Sequence, residues 1–273
     1  MEHYLCKPPP PLDRFVEVIW TSADKGRPHP RERLLPDGST ELVFNLHEER
    51  IPIYDSESFD RCKTFRGSVV CGPHSRFFAI DTAEEFNVAG VHFKPGGAYP
   101  FLRLPGEEIH NLHVGLDALW GARAGEVRER LLAAKTPQMK CRVLEEALLA
   151  QAAGPPERHP AVAFALNEFH GAPETQKISE VTDRVGLSAR RFIDVFRKEV
   201  GLTPKLFCRV RRFQKVLRHI SGGRAVDWAE IALTCGYFDQ AHFIHDFRVF
   251  SGINPSSYLA DRTSHLNHVP IRG

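Results

Sequence analysis

The chain repeats itself once near its C-terminal end, and this repeat limits the fold more than any other feature. The segment KISEVTDRVGLSARRFIDVFRKEVGLTPKLF aligns with DWAEIALTCGYFDQAHFIHDFRVFSGINPSSY. Ile178, Val181, Val185 and Gly186 match Trp228, Ile231, Cys235 and Gly236, each 50 positions on. Phe192, Phe196, Gly201, Pro204 and Phe207 match Phe243, Phe247, Gly252, Pro255 and Tyr258 at an offset of 51. One residue is therefore inserted just after the glycine of the second copy, where a turn absorbs it.

Each copy reads as helix, tight turn, helix. In the first, Ile178, Val181 and Val185 make one apolar face at i, i+3, i+7. Gly186 supplies the positive φ that ends a helix, and Ser188 caps the next one. Phe192 and Phe196 point inward, leaving Arg190, Arg191, Asp194, Arg197 and Lys198 outside. In the second copy Asp227 caps a helix with Glu230 three residues on, Asp239 caps the following helix, and Phe243 and Phe247 face the core. A glycine-containing turn between two crossed helices is the helix-turn-helix pattern. Between the copies, Phe207, Val210, Phe213, Leu217 and Ile220 predict one long helix over about 204–220, whose apolar stripe packs against both units. Lys205, Arg209, Arg212 and Lys215 are expected elsewhere on that cylinder. From Ser188 to Arg218 there are ten Lys/Arg against two acids, a local charge of +8 in a chain whose net charge is only +2. Clustered charge of this kind suits a surface that binds phosphates.

The rest of the chain is of another kind. Gly154-Pro155-Pro156-Glu157-Arg158-His159-Pro160 sustains neither helix nor central strand and reads as a linker, with Pro160 opening the next helix. Before it, about 106 residues look β-rich: LLPDGSTELVFNL carries a turn signal at Pro36-Asp37-Gly38, and SVVCG, FFAI and FNVAGVHF are short β-type runs. From Gly115 to Ala153 the pattern becomes helical through Val127, Leu131, Leu132, Met139, Val143, Leu144 and Leu148, broken at 134–137. The expected fold is an α+β N-terminal domain, a small sheet or barrel plus a helical hairpin, followed by an all-α domain with two helix-turn-helix units. The expected division is 1–153 for a sensory or dimerisation domain, 154–160 for the linker, 161–262 for the DNA-binding domain and 263–273 for a tail.

Residues 160–262 resemble the DNA-binding domain of the AraC/XylS family of transcription regulators. ISEVTDRVGLS and AEIALTCGYFDQAHFIHDFRVFSGINPSSY carry the resemblance. It implies seven helices, with two recognition helices entering successive major grooves on one DNA face. Matched by position, Arg190, Ile193 and Asp194 face bases from the first recognition helix; Gln240, Ala241 and His245 do so from the second. Arg190 suits guanine and Gln240 adenine. Ile193 and Ile244 replace polar residues common at those places and are either thymine-methyl contacts or residues on the rim of the core. Asp194 stands where relatives often carry a basic residue; it repels phosphate, and only a cytosine amino group suits it. Arg191, Arg197, Lys198, Lys205, Arg209, Arg212 and Arg248 complete the candidate DNA-binding set. PDGSTELVF, VCGP and GVHFKPGGAYPFL resemble an uncharacterised domain that precedes this module in some regulators.

Other chemistries find thinner support. Six scattered cysteines, with no CxxC pair, read as reduced thiols mostly packed in cores; Cys6, Cys62 and Cys71 are candidates for oxidant sensing. His110 and His113 lack an evident third metal ligand. No GxSxG, phosphate loop or dinucleotide fingerprint occurs, and Lys94-Pro95-Gly96-Gly97 reads as a tight turn with no helix signature behind it. Trp20, Phe44, Phe77, Phe78, Phe93 and Tyr99 are candidate pocket walls, with core packing the plainer reading for most. The expectation is a cytoplasmic, sequence-specific transcription factor with no cofactor or metal and no enzymatic activity. Its candidate partners are double-stranded DNA, RNA polymerase, a small-molecule effector at the N-terminal domain and a second copy of itself, and no membrane. The alternative is an enzyme or DNA-repair protein that uses the module for targeting.

Overall fold

The computed structural model describes residues 2–24, 31–56, 59–82, 85–152, 154, 156–171, 177–221 and 226–272. Its first part is built from β1 (Glu2–Cys6), β2 (Val16–Asp24), β3 (Arg31–Leu34), β4 (Glu41–Asn45), β5 (Arg50–Tyr54), β6 (Cys62–Arg66), β7 (Ser68–Cys71), β8 (Phe78–Asp81) and β9 (Phe86–Phe93). Then come α1 (Tyr99–Leu102), β10 (His113–Gly115), α2 (Leu116–Trp120), α3 (Arg123–Ala133) and α4 (Pro137–Gln151). The helical part holds α5 (Pro160–Gly171), α6 (Ile178–Val185), α7 (Ala189–Val200), α8 (Pro204–Ile220), α9 (Trp228–Thr234), α10 (Gln240–Ser251) and α11 (Pro255–Asp261), and the chain returns as β11 (His268–Pro270). Among the described residues, no helix is long and apolar enough to cross a membrane.

The strands form two antiparallel sheets, ordered β1-β2-β9-β4-β7-β10 and β11-β3-β8-β5-β6. The turn at Pro36-Asp37-Gly38 therefore carries the chain from one sheet to the other. Gly38 takes φ +84° and the Asp37 carboxylate accepts from the Ser39 amide at 2.8 Å. The expected helical hairpin is present: the chain breaks after Ala133, and the Thr136 hydroxyl caps α4 by accepting from the Met139 amide. Val127, Leu131, Leu144 and Leu148 bury against the first sheet's core, which also holds Phe44 and Phe93. Leu132 and Met139 point outward instead, 43% and 47% exposed. The Lys94–Gly97 turn closes with the Gly97 amide on the Lys94 carbonyl at 2.7 Å, and the short α1 follows it, a helix the sequence pattern did not signal. Cys71, Cys141, Cys208 and Cys235 are buried, Cys6 is half-buried and Cys62 exposed.

The linker region runs directly into α5 at Pro160; its Pro155 lies outside the described residues. The C-terminal segment is a structural strand. β11 pairs with β3, placing His268 beside Leu34 and Pro270 beside Glu32. Leu35, Phe77 and Val269 share one buried cluster with the helices of the C-terminal part. Gln214 of α8 is buried with them, donating from its amide nitrogen to the Pro36 carbonyl at 2.8 Å and to Asn267 at 2.9 Å. The two parts thus share a core as well as a chain.

Candidate DNA-binding surface

α8 is the axis of the helical part. Phe207, Val210, Phe213, Leu217 and Ile220 are all buried along it. Near one end, Phe207 meets Phe196 of α7 with ring centroids 5.7 Å apart; further along, Phe213 meets Phe247 of α10 at 5.2 Å. Each helix-turn-helix unit is therefore packed on its own stretch of one helix, through edge-to-face rings that add to the area they bury.

The local chemistry of the two units matches. Gly186 and Gly236 sit in the turns with φ +68° and +79°, a conformation that costs little only without a Cβ. Ser188 accepts from the Arg191 amide at 3.3 Å, and Asp239 from the His242 amide at 2.7 Å. Asp227 caps α9 through the amides of Ala229 and Glu230. α7 and α10 each end at a left-handed glycine, Gly201 and Gly252.

The outer face of α7 carries Arg190, Arg191, Asp194, Arg197 and Lys198, all exposed, together with Ile193 at 37% exposure. Its N-terminal half is open. Its C-terminal half leans on the N-terminal domain, where Arg197 pairs with Glu107 at 2.8 Å and the Lys198 ammonium lies 5.7 Å from the Tyr99 ring. On α10, Gln240, Ala241, His245 and Arg248 are exposed. Ile244 is half-buried and packs on the core, so the two isoleucines differ: Ile193 is outside and Ile244 is a rim residue. Lys205 is exposed at the start of α8.

Two members of the expected basic stripe, Arg209 and Arg212, are held by partners within the chain. Arg209 grips the buried carboxylate of Asp246 on α10, with Nη2 donating at 2.6 Å and Nε at 3.3 Å. Arg212 donates to the Gly236 carbonyl at 2.9 Å while its guanidinium lies over the Tyr237 ring. Lys215 donates to the Thr234 carbonyl at 3.1 Å. Cations at the C-terminal end of α9 meet its uncapped carbonyls and the negative end of its dipole. The stripe clamps the second unit onto α8.

One exposed residue escaped the sequence reading. Phe238 is 87% exposed, immediately before the cap of α10, with Leu233 of α9 also open at 67%. The signal lay in the repeat: Tyr237 answers Leu187 and Asp239 answers Ser188, so Phe238 is the inserted residue. Among the described residues, no group of three or more His, Cys, Asp or Glu side chains is placed to hold a metal ion.

Residues 181–261 match a family model described as a helix-turn-helix domain, and residues 4–115 match a domain of unknown function, DUF6597. No curated protein sequence matches the chain. Among solved structures the chain is similar to ToxT from Vibrio cholerae, at 9% identity and a TM-score of 0.49, covering 89% of this chain and 98% of that one. It is also similar to the C-terminal domain of AraT, a response regulator from Geobacillus stearothermophilus, at 19% identity and a TM-score of 0.37, covering 40% of this chain and 92% of that one. Together the two family matches place a domain of unknown function over residues 4–115 and a helix-turn-helix domain over residues 181–261, each spanning less than half of the chain.

Proposed function

We propose that the protein is a sequence-specific DNA-binding regulator of transcription in which α7 and α10 read successive major-groove segments. One observation carries this reading: two equivalent helix-turn-helix units are packed on a single helix, and each leaves open the polar face at the start of its second helix. Arg190 and Asp194 serve the first half-site; Gln240, Ala241 and His245 serve the second. Ile193 is the candidate thymine-methyl contact, and Arg191, Lys205 and Arg248 are the candidate phosphate contacts. Arg197 and Lys198 join them only where the N-terminal domain leaves room. Phe238 extends the second surface. A phenyl ring beside the first turn of a recognition helix suits thymine methyls and deoxyribose faces, because residues at that end of the helix approach base edges.

Residues 1–153 would sense an effector or pair subunits, 154–160 would link them to the reader at 161–262, and RNA polymerase would be the partner through which binding alters transcription. Selection of bound duplexes from a random pool by the full chain tests the reading. The expected product is a motif with two unlike halves centred about one helical turn apart, roughly 34 Å. No enrichment, or a motif confined to one half, would overturn it.

A further inference from the structure

Two thiols from distant parts of the chain meet in the N-terminal core. β1 alternates, so Tyr4 and Cys6 turn one face towards the helices that cover the first sheet, while Glu2, His3 and Leu5 stay exposed. α4 has helical spacing, so Cys141, Leu144 and Leu148, at i, i+3 and i+7, lie on its buried face. The two elements pack with Cα atoms within 8 Å of each other, and Cys6 packs on the apolar cluster to which Cys141 belongs. The Cys6 thiol stands within hydrogen-bonding reach of Cys141, 135 positions on in the sequence. A thiol is a weak donor and a weak acceptor, so the pairing contributes little as a polar contact. Its significance is chemical, because two facing thiols are one two-electron oxidation away from a disulfide.

The two thiols are placed for different parts in that oxidation. Cys6 is half-buried and reaches solvent, whereas Cys141 is 2% exposed. Burial and the neighbouring Cys6 sulfur push the Cys141 thiol up to about 12, so it stays protonated and does not attack an oxidant from solution. Cys6 meets the oxidant first. Its sulfur attacks a peroxide oxygen; an S–O bond forms as the O–O bond breaks, and the thiol proton leaves with the departing oxygen as water. Peroxide is reduced by two electrons and Cys6 becomes a sulfenic acid. That group is neutral, so the charge on Cys6 no longer opposes ionisation of Cys141. The Cys141 sulfur then attacks the Cys6 sulfur; the S–S bond forms, the S–O bond breaks, and the hydroxyl takes the Cys141 proton to leave as a second water. The other two candidates for oxidant sensing are placed differently. Cys62 lies exposed on the second sheet, and Cys71 is buried, which raises its thiol well above the ordinary value.

We propose that Cys6 and Cys141 are a peroxide-reactive pair that closes into a disulfide and staples β1 to α4. β1 is the edge strand of its sheet and pairs there with β2, so the bridge ties down an element that the sheet holds from one side. The reduced full chain is treated with hydrogen peroxide in about tenfold excess, alkylated and digested for mass spectrometry. The expected product joins the Cys6 peptide to the Cys141 peptide, lighter by two hydrogens than the two free peptides together, and is separated again by dithiothreitol. The bridge closes a loop across 135 positions, so Tm should rise by at least about 5 °C on oxidation and fall back on reduction. Cys6→Ser should keep Cys141 reduced under the same treatment and abolish the rise in Tm. Cys141→Ala should leave Cys6 as a sulfenic acid that dimedone traps. Cys6→Ser changes a half-exposed side chain and decides the matter even where Cys141→Ala fails to fold. The assignment is overturned if both thiols remain open to alkylation, if either joins another cysteine instead, if Cys6 passes to sulfinic acid without the link, or if Cys141 is oxidised equally in Cys6→Ser. A bridge that leaves Tm unchanged would overturn the stapling.

Discussion

Replacing Arg209 distinguishes a clamp from a phosphate contact. In the structure its guanidinium makes two hydrogen bonds to Asp246, whose side chain is 2% exposed while that of Arg209 is 29% exposed. Among the described residues, the other basic side chain within salt-bridge range of this carboxylate is His242, which is 40% exposed and whose Nε2 stands 3.8 Å from Oδ2. Arg209→Met keeps the alkyl packing and removes the fork, leaving a buried carboxylate without its main partner. Breaking a buried pair from one side costs about 3–5 kcal/mol. His242 is too distant for a hydrogen bond and Arg209 itself reaches solvent, so a loss at the lower end, about 3 kcal/mol, is expected. Asp246→Leu strands a cation that already reaches solvent, and should cost less. The double variant Arg209→Met/Asp246→Leu should return to within about 1 kcal/mol of wild type, because paired removal of a buried ion pair is often neutral. Urea unfolding gives these values where the m-value is unchanged. The salt dependence of DNA binding gives the second readout. A phosphate contact contributes about 0.9 to the slope of log K against log salt; the clamp contributes none. A stable Arg209→Met variant with a flattened slope would refute the inward assignment.

Three further outcomes follow from single features of the structure. Burial, reinforced by Lys63, holds His113 at about 4, below its ordinary value of 6.5, so the folded chain binds fewer protons than the unfolded one across that window. Stability should therefore fall as pH drops from about 6.5 towards 4, and His113→Gln should flatten that limb in a Tm-against-pH series; an unchanged limb would contradict the assignment. Phe238→Ala should leave Tm unaltered, because the ring is 87% exposed, yet weaken binding about tenfold through base pairs of one half-site only; uniform loss at all positions, or none, would exclude the ring from the DNA surface. The outward Leu132 and Met139 of the α3–α4 hairpin make it the candidate seam between two copies: sedimentation should give a dimer for the full chain and a monomer for Leu132→Glu/Met139→Glu, and a monomeric wild type at tens of micromolar would remove that role.

The helical part was legible because its signals are local. Spacing of apolar residues, a glycine in each turn and a Ser or Asp one helix-start later set α6 to α10 nearly residue by residue, and α8 runs over the expected 204–220. What the residues face was not legible. Arg209 and Asp246 are 37 positions apart, and nothing in the spacing of α8 marks its cations as partners of α9 and α10 rather than of phosphate. The division of strands between two sheets depends on long-range pairing, so the Pro36–Gly38 turn was visible while its destination was not. β11 has three residues, too few for any periodicity, and its place beside β3 is fixed by contacts such as His268 Nδ1 with the buried Glu32 carboxylate at 2.9 Å. Gln214 was unremarkable in sequence, and Phe77 stood out only as a candidate pocket wall, because their roles lie between domains.

The most direct test of the whole account is a titration of the full chain against every single-base variant of its selected site, repeated with Arg190→Ala and with Gln240→Ala at fixed salt. Each substitution should cost about 1–3 kcal/mol on the best site and relax preference at its own base pairs, the two sets lying about one helical turn apart. If both substitutions altered preference at the same base pairs, or neither altered any, α7 and α10 would not be separate readers of DNA.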